Sequence, residues 1–437
     1  MILLLRRSGL SHDTAPNFPG AVCSKIDSML NNLIVILVAA VAAIVLFSPR
    51  VEKSTTWQAT VTPLASIIGS GFLVSVPLLA GEVGNWSLLA MAGLIAVAYL
   101  VGSAIRFNIR YAEPLLDKPA HSERVLVTES LEHLSHFVLA FAYFVSVAYY
   151  LVLLGSFLLS SAGVSSDWPA KAIATAILVA LGSLGLFRGL GMVERIEKYT
   201  VGVNLAVIAG LLGGLLWHNG AALAAHSWQL REFGGDFNLH SMRVLLGLLI
   251  VVQGFETSRF MGDEFDADTR IRTMRYAQWI SAVVYIVFFA LMADLYRFLG
   301  ESTSITATIT LVGHVALVLP VMLTIGAVAS QFSASVADSV GCAGLLEEIA
   351  NKRLDLRHAY PLIATIAIAI IWSTQVFQII TLASRAFALF YLVQTCVALS
   401  VAWGQKGRRH RAVRLSLFAF AALFCLAIVL FGIPSGS

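Results

Sequence analysis

The sequence predicts an all-α, polytopic membrane protein, and two observations support this fold class. First, 58% of the 437 residues are hydrophobic and only 12% are charged, with a mean hydropathy of +0.83. A soluble domain carries about 25% charged residues, so nearly all of this chain must contact lipid or other membrane helices. Second, the apolar residues fall into stretches of about 20, the length that crosses a bilayer as a helix. The polar intervals between them are too short for a separate soluble domain.

These apolar stretches predict twelve membrane spans. They lie at residues 32–48, 60–80, 86–106, 136–161, 170–187, 200–217, 244–261, 276–298, 311–338, 360–377, 380–403 and 413–433. The first follows a polar leader that holds Arg6, Arg7 and Lys25. No small-residue cleavage site follows residue 48, which favours an uncleaved helix over a signal peptide. We therefore expect residues 1–56 to form a leader with an extra transmembrane helix.

The Lys and Arg residues gather on alternate connections between these spans. They are Arg50, Lys53, Arg106, Arg110, Lys118, Arg124, Arg188, Arg195, Lys198, Arg270, Arg272, Arg275, Lys352, Arg353, Arg357, Lys406, Arg408, Arg409, Arg411 and Arg414. The opposite connections hold only Lys171, Arg231, Arg243, Arg297 and Arg385. The positive-inside rule places the rich side in the cytoplasm of a cell whose plasma or inner membrane holds the protein. The carboxyl end then lies outside, and so does the amino end if residues 32–48 span.

Two spans carry residues that favour a break in the helix. The span at 60–80 contains Gly69-Ser70-Gly71 and then Pro77, and the span at 244–261 contains Gln253-Gly254-Phe255-Glu256. Glycine and proline weaken a helix, and a carboxylate at membrane depth needs a partner or a wet cavity. Each is the first span of a five-span set counted from residue 60. Paired breaks at matching positions in two halves indicate a transporter binding site.

A broken membrane helix offers backbone groups to a ligand. Free N–H groups at the start of one half-helix attract a carboxylate, and free C=O groups at the end of the other attract a cation. The alternative is that Gly69 and Gly71 only allow close packing between helices. The second break at the matching position favours the binding-site interpretation.

The residues around both breaks resemble the amino acid–polyamine–organocation (APC) permease superfamily. That family has an early I-G-S-G-I-F-V-x-P element, and residues 68–77 here spell IGSGFLVSVP, with the proline one place late. The family's sixth core helix carries G-F-[DE], an acidic pair seven residues beyond the carboxylate, and an arginine. Gly254-Phe255-Glu256, Asp263-Glu264 and Arg270 keep this spacing.

A third similarity lies before the fifth core helix. Gly189, Arg195 and Glu197 follow the family's G-x-x-x-x-x-R-x-E pattern. The resemblance covers residues 57 to about 403 and says nothing of the substrate. Three features depart from the family: Asn204 stands where proton-coupled relatives often carry a lysine, the serines of the eighth core helix include no adjacent pair, and one helix instead of two follows the core.

The resemblance implies a leucine-transporter-like fold, a five-plus-five inverted-repeat helical bundle with an extra N-terminal helix and one C-terminal helix. The ten-helix core would occupy 57–403, with repeats at about 57–217 and 241–403, and 404–437 would hold the last helix. Alternating access would move the first and sixth core helices against a scaffold, with Phe255 as a candidate gate. The candidate substrate-binding residues are Ile68, Gly69, Ser70, Gly71, Gln253, Gly254, Phe255, Glu256 and Arg259.

Glu256 is the strongest single candidate for function. It could bind an amino group or carry a coupling proton, whereas the alternative is a carboxylate that bonds the backbone at the break. Arg259 lies one turn later, and we expect an i, i+3 ion pair with Glu256. A substrate carboxylate is the other partner open to Arg259.

Ser330, Ser333 and Asn204 are the candidates for a coupling ion. The two serines share one face of a helix, and with carbonyl groups near Ile68 they could surround Na⁺. The alternative is that these hydroxyls bond their own helix or a neighbour. Asp338 lies at the cytoplasmic end of the same predicted span, where we expect water to reach it; the alternative is a proton or gate residue.

Two further groups of polar residues have structural interpretations. We expect Asp294 and Arg297 to form a solvated pair at an outer helix end. Tyr143, Tyr149 and Tyr150 could face the site, although helix packing is the simpler role for them.

These observations predict a secondary transporter of an amino acid or related amine, driven by Na⁺ or H⁺ or working by exchange. Its partners would be the solute and the lipid bilayer, with no nucleic acid and no cofactor beyond a coupling ion. A ligand-binding sensor with a transporter fold is one alternative. An intramembrane enzyme is another, but no nucleophile–base pair stands out, the histidines form no metal motif, and Cys23, Cys342, Cys396 and Cys425 show no paired spacing.

Overall fold

The computed structural model describes residues 19–116, 123–164, 166–188, 191–230, 237–299, 304–405 and 410–435, without the side chains of 19–28, 70, 123–124 and 191–198. All regular structure in these ranges is helical. The helices are α1 (Pro19–Leu46), α2 (Pro49–Glu52), α3 (Thr55–Val83), α4 (Ser87–Tyr111), α5 (Glu113–Leu116), α6 (Glu123–Ser161), α7 (Asp167–Arg188), α8 (Gly191–Ala224), α9 (Leu239–Leu246), α10 (Ala267–Met292), α11 (Ala307–Val312), α12 (Leu319–Ile349), α13 (Leu356–Ser373), α14 (Val376–Gly404) and α15 (Arg411–Phe431).

Every predicted span coincides with helical structure. Ten helical stretches in the described residues are long and apolar enough to cross a membrane, and one of them, Thr55–Leu116, contains both α3 and α4. The remaining predicted span, 244–261, falls in residues 239–260, where α9 is followed by two 3₁₀ turns, Leu249–Val252 and Phe255–Phe260. We call residues 239–260 the interrupted segment. The prediction of a multi-pass helical protein is confirmed.

Two contacts between helix ends agree with connections that alternate between two faces, as predicted. Arg110 at the end of α4 forms an ion pair with Asp268 at the start of α10. On the other side, the Lys171 ammonium donates to the Thr374 carbonyl at 2.6 Å. We call the side that carries the Lys- and Arg-rich connections the basic face and the other side the opposite face.

Helix α1 packs antiparallel along α8, because α8 presents a row of glycines to it. A Cβ added at Gly214 would lie 2.5 Å from the Val35 side chain, one at Gly210 would lie 2.9 Å from Ala39, and one at Gly202 would lie 2.7 Å from Phe47. Without side chains at these positions the two helices approach closely. The predicted extra helix is therefore present and lies against the bundle.

Helix α3 is continuous, and the predicted break at Gly69-Ser70-Gly71 is wrong. The helix runs from Thr55 to Val83 with Pro63 and Pro77 inside it. Close packing explains the glycines: a Cβ added at Gly71 would lie 2.5 Å from the Val251 Cα, and one at Gly69 would lie 2.9 Å from the Ser330 Oγ. The helix needs these positions without side chains because two other segments touch it there.

The predicted break in the second span is present. Gly254 has a φ of +117°, in the left-handed region, and it separates the two 3₁₀ turns of the interrupted segment. A Cβ at Gly254 would also lie 2.5 Å from the Ser66 Oγ of α3. Glycine is required here both by the backbone angle and by the neighbouring helix.

Candidate functional site

A cavity of about 240 Å³ lies between α3, α6, α8, α12 and the end of the interrupted segment. We call it the central cavity. Its polar lining residues are Thr62, Ser66, Tyr143, Thr200, Asn204, Thr257, Ser330, Ser333 and Asp338. Helices α3 and α8 contribute residues from the halves nearer the basic face, α6 and α12 contribute residues from their middle and beyond, and Phe260 is 43% exposed. The central cavity therefore belongs to the basic side of the bundle.

Buried aromatic rings close the bundle beyond the central cavity toward the opposite face. Phe72 lies one turn beyond Ile68, with its ring centroid 4.3 Å from that of Phe288 and 5.6 Å from that of Tyr285. All three side chains are at most 2% exposed. A solute in the central cavity would have to displace these rings to reach the opposite face.

Asp338 lines the central cavity, and the prediction that it lies at an exposed helix end is wrong. Helix α12 continues to Ile349, so Asp338 lies about three turns, or about 16 Å, inside the helix. It is 7% exposed and accepts a hydrogen bond from the Ser146 hydroxyl of α6. The predicted span ends at residue 338 because polar residues follow. In the structure α12 starts at Leu319, eight positions later than the predicted span, and ends at Ile349.

A second, small cavity of about 20 Å³ adjoins the central cavity beside Gly69. Asn204 and Ser330 line both cavities. Gln331 donates from Nε2 to the Gly69 carbonyl at 2.8 Å, while its buried Oε1 has no hydrogen-bond partner among the described residues. Sequence analysis missed Gln331, and its polarity on an apolar helix face was the available signal.

Glu256 bonds to the backbone of its own break. Its Oε2 accepts the Gly254 N–H at 3.0 Å and the Tyr391 hydroxyl at 2.6 Å, and the residue is 1% exposed. It is not among the lining residues of the central cavity. This geometry matches the structural alternative considered for Glu256.

Other side chains bond the remaining freed backbone groups of the interrupted segment. Ser384 accepts the Ile250 N–H at 3.0 Å, Tyr285 donates to the Val251 carbonyl at 2.6 Å, and Thr257 donates to the Gly254 carbonyl at 2.8 Å. Buried peptide groups in a membrane protein require such partners. The protein itself therefore occupies these groups, which were expected to contact a ligand.

Arg259 pairs with carboxylates other than Glu256, so the predicted i, i+3 pair is wrong. Its guanidinium lies 2.8 Å from Glu132 on α6 and 3.7 Å from Glu113 on α5, and it also donates to Gln394. The two side chains do not meet because the Glu256 carboxylate turns back to the Gly254 N–H and the Tyr391 hydroxyl, while the Arg259 guanidinium is held by carboxylates of other helices. Arg259 thus ties the interrupted segment to helices near the basic face.

Asp294 near the opposite face is also not the solvated residue that was predicted. It is 0% exposed, and its carboxylate lies 3.0 Å from Arg297 and 3.4 Å from His218. It accepts the Gln229 N–H at 3.2 Å as well. The Asp294 carboxylate is thus shielded from water, whereas the Arg297 side chain is 30% exposed; the predicted pair is present, but only one of its members is solvated.

Phe255 is part of a buried aromatic row that reaches the central cavity. Its ring stacks on Tyr391 at 5.1 Å, Tyr391 lies 6.4 Å from Phe387, and Phe387 lies 6.2 Å from Tyr143 in the cavity wall. Gln253, two residues before Phe255, donates from Nε2 to the Tyr150 hydroxyl at 3.3 Å. Tyr143 lines the cavity, whereas Tyr149 and Tyr150 pack in the core.

The structure thus brings together only part of the predicted site. Ile68, Ser330, Ser333 and Asn204 line the central cavity, and Gly69 lines the small one. Neither cavity is lined by Gly71, Gln253, Gly254, Phe255, Glu256 or Arg259. The side chains of Ser70, Arg195 and Glu197, and all of Gly189, lie outside the described residues.

Comparisons with known proteins found relatives in sequence and in structure. The chain is 40% identical over 393 residues to an uncharacterized protein of Aquifex aeolicus (strain VF5), which covers 88% of this chain and 93% of that protein. Two solved structures of Mhp1 are similar at 14% identity. One is a nucleobase-cation-symport-1 family transporter in a closed conformation with bromovinylhydantoin bound (TM-score 0.46, 86% of this chain and 91% of that one), and the other is inward-facing (TM-score 0.38, 90% and 89%).

A sequence model of the family described as APC superfamily transporter matches residues 49–432. The match begins after α1, which therefore lies before the part of the chain that the family shares. The predicted fold class is confirmed by this match together with the order of the helices. The chain belongs to the APC superfamily of transporters, and it is a permease rather than an enzyme.

Proposed function

We propose that this protein is a secondary active transporter of a small amino acid or related amine. The central cavity carries this proposal, because it offers hydroxyl, amide and carboxylate groups next to the interrupted segment. A cavity of about 240 Å³ suits a small metabolite rather than a drug-sized molecule, whose pockets span about 300–1,000 Å³. Solute would reach it from the basic face, which we assign to the cytoplasm of a plasma or inner membrane.

The packing of α3 supports a specific moving unit. Gly71 touches Val251 and Gly254 touches Ser66, so α3 and the interrupted segment are interlocked at two points. We infer that they move as one body against α6, α8 and α12. Opening toward the opposite face would separate the rings of Phe72 and Phe288 and close the rim near Phe260.

The small cavity is the proposed site of a coupling ion. Ser330, Asn204 and Gln331, whose buried Oε1 has no hydrogen-bond partner among the described residues, line it and supply uncharged oxygen atoms, the ligands that a hard cation such as Na⁺ prefers. The third predicted candidate, Ser333, lines the central cavity next to it. H⁺ coupling would instead use a carboxylate. No other cofactor is proposed.

Uptake by proteoliposomes tests this function. Purified full-length protein should accumulate a radiolabelled amino acid or amine under an inward Na⁺ gradient or an inward pH gradient, and the driving gradient identifies the ion. With Na⁺, Ser330→Ala should raise the Na⁺ concentration for half-maximal uptake about tenfold, the effect of losing about 1.4 kcal/mol. Ser304→Ala, on an exposed loop residue, is the matched control. Saturable binding of solutes without flux under any gradient would contradict transport and support a sensor.

A further inference from the structure

A cavity of about 310 Å³ lies between α4 and α10 and reaches α3 and the interrupted segment. We call it the lateral cavity. Its mouth is framed by Tyr99 and Trp279, both exposed, with ring centroids 5.7 Å apart. Its deep wall includes Ile67 and Val252. Because α4 and α10 belong to predicted spans, this mouth opens into the hydrocarbon of the bilayer rather than into water.

The buried polar side chains of the lateral cavity are bonded within the protein. Gln278 donates to a carbonyl of α4 at 2.9 Å and accepts a hydrogen bond from Arg106. Ser281 donates to the carbonyl of Gln278 at 3.0 Å, and Tyr285 donates to the Val251 carbonyl at 2.6 Å. No charged side chain is among the described residues of the lining. The buried part of the cavity therefore suits an apolar ligand.

Positive charge lies at the end of the lateral cavity nearer the basic face. Arg275 is exposed on α10, one turn before Trp279, and Arg106 on α4 lies within electrostatic reach of it. Tyr276, next to Arg275, is exposed as well. Exposed tyrosine, tryptophan and arginine are typical of the depth at which lipid headgroups lie. This end of the cavity therefore suits an anionic headgroup.

The distance between these two features matches a phospholipid. Helix α10 rises about 15 Å from Arg275 to Tyr285, at the far end of the cavity. One leaflet of the hydrocarbon core is also about 15 Å deep. A phosphate held at Arg275 would thus direct an acyl chain past Trp279 and into the cavity.

We propose that the lateral cavity binds one acyl chain of an anionic phospholipid from the leaflet at the basic face, with the phosphate at Arg275. The proposal does not depend on the identity of the solute. Tyr285 connects this site to the interrupted segment, since its ring lines the cavity and its hydroxyl bonds the Val251 carbonyl. A bound chain fills the space behind Ile67 and Val252 and so stabilises the folded protein.

Matched lipids test this on the full-length protein, purified in detergent and stripped of lipid. Phosphatidylglycerol should raise the melting temperature, and phosphatidylcholine with the same acyl chains should raise it less. Glycerol phosphate, which has no acyl chain, should leave it unchanged. Equal stabilisation by the two lipids would show annular lipid only, and stabilisation by glycerol phosphate would show a site for free phosphate. Either result would overturn the proposal, and this arm needs no variant.

Variants that fill the lateral cavity locate the acyl chain. Ala282→Leu on α10 and Ala96→Leu on α4 should each raise the phosphatidylglycerol concentration for half-maximal stabilisation about tenfold, because leucine displaces about two methylene groups of the chain. Ala290→Leu is the matched control, since Ala290 is an exposed alanine of α10 outside the lining. An unchanged lipid response in both cavity variants would place the lipid elsewhere and contradict the proposal.

A charge variant locates the headgroup. Arg275→Gln should weaken the response to phosphatidylglycerol about fivefold and leave the response to phosphatidylcholine unchanged, which is the effect of one arginine near a bilayer surface. Arg353→Gln, on an exposed residue between α12 and α13 at the same face, is the control for net charge. If both variants lose the same amount, the lipid responds to net charge only, and the role of Arg275 fails.

Discussion

The Glu256 carboxylate lies beside the Gly254 N–H, a backbone group that has no helical hydrogen bond because the interrupted segment breaks there. The Glu256 Oε2 accepts both the Gly254 N–H and the Tyr391 hydroxyl in a site without water access. Removing an acceptor from buried donors costs about 1–3 kcal/mol, more than a typical hydrogen bond contributes. Glu256 thus stabilises the break, and its role toward the solute stays a prediction.

Substitutions at Glu256 should separate these two roles. Glu256→Ala should lower the free energy of unfolding by about 1–3 kcal/mol, because the Gly254 N–H loses its acceptor. Glu256→Gln should cost less, since the amide oxygen can still accept both hydrogen bonds. The melting temperature of purified protein measures both, with Tyr391→Phe, which keeps the ring on Phe255, as the control for the second bond. Equal stability of Glu256→Ala and wild type would contradict the structural role.

Between elements, the decisive contact is that of α3 with the interrupted segment. Gly71 and Gly254 allow the two backbones to touch, and each faces the other element rather than a ligand. Glycine therefore lies within a continuous helix at position 71 and at a break in the helix at position 254. Of these two glycines, Gly254 has a positive φ and Gly71 does not.

Substitution of the helical glycine tests this packing. Gly71→Ala should destabilise the protein by about 1–3 kcal/mol, because the new methyl would overlap the Val251 backbone. Gly93→Ala, on α4 with nothing within 4 Å of the added Cβ, should be neutral or stabilise by up to about 1 kcal/mol. Thermal unfolding of both variants gives the comparison. If Gly71→Ala is as stable as Gly93→Ala, α3 and the interrupted segment are not interlocked there.

In the whole molecule, we expect access to the central cavity to be one-sided. The central cavity lies toward the basic face, and Phe72, Tyr285 and Phe288 fill the space beyond it. A separate cavity of about 410 Å³, lined in part by Ser304 and His314, lies toward the opposite face. We expect the rings of Phe72, Tyr285 and Phe288, which we call the aromatic layer, to separate the two cavities, as alternating access would require of a state closed on one side.

Thiol labelling measures this asymmetry. In a chain without its native cysteines, Ser333→Cys should react with a membrane-impermeant reagent applied at the basic face of oriented vesicles and resist it at the opposite face. Ser304→Cys, exposed at the other end, should show the reverse. Equal reaction of Ser333→Cys from both sides would show that the aromatic layer does not close the path.

The order of the spans, the alternation of their connections and the break at Gln253–Glu256 were all determined by the sequence itself. Each depends on local properties: apolar length, the side on which lysine and arginine fall, and a run that cannot continue a helix. The family resemblance rested on the same local runs, and the match over residues 49–432 confirmed it.

Tertiary structure decided which polar residues face the cavity and which glycines mark a break. Asp338 became a cavity residue because α12 is longer and lies further along the chain than its apolar pattern indicates. Arg259 forms an ion pair with Glu132, which is distant in sequence, and not with Glu256 three residues away. These outcomes depend on which segments meet in space, and the free energy of burying a charge or a glycine is set by the neighbour that it meets.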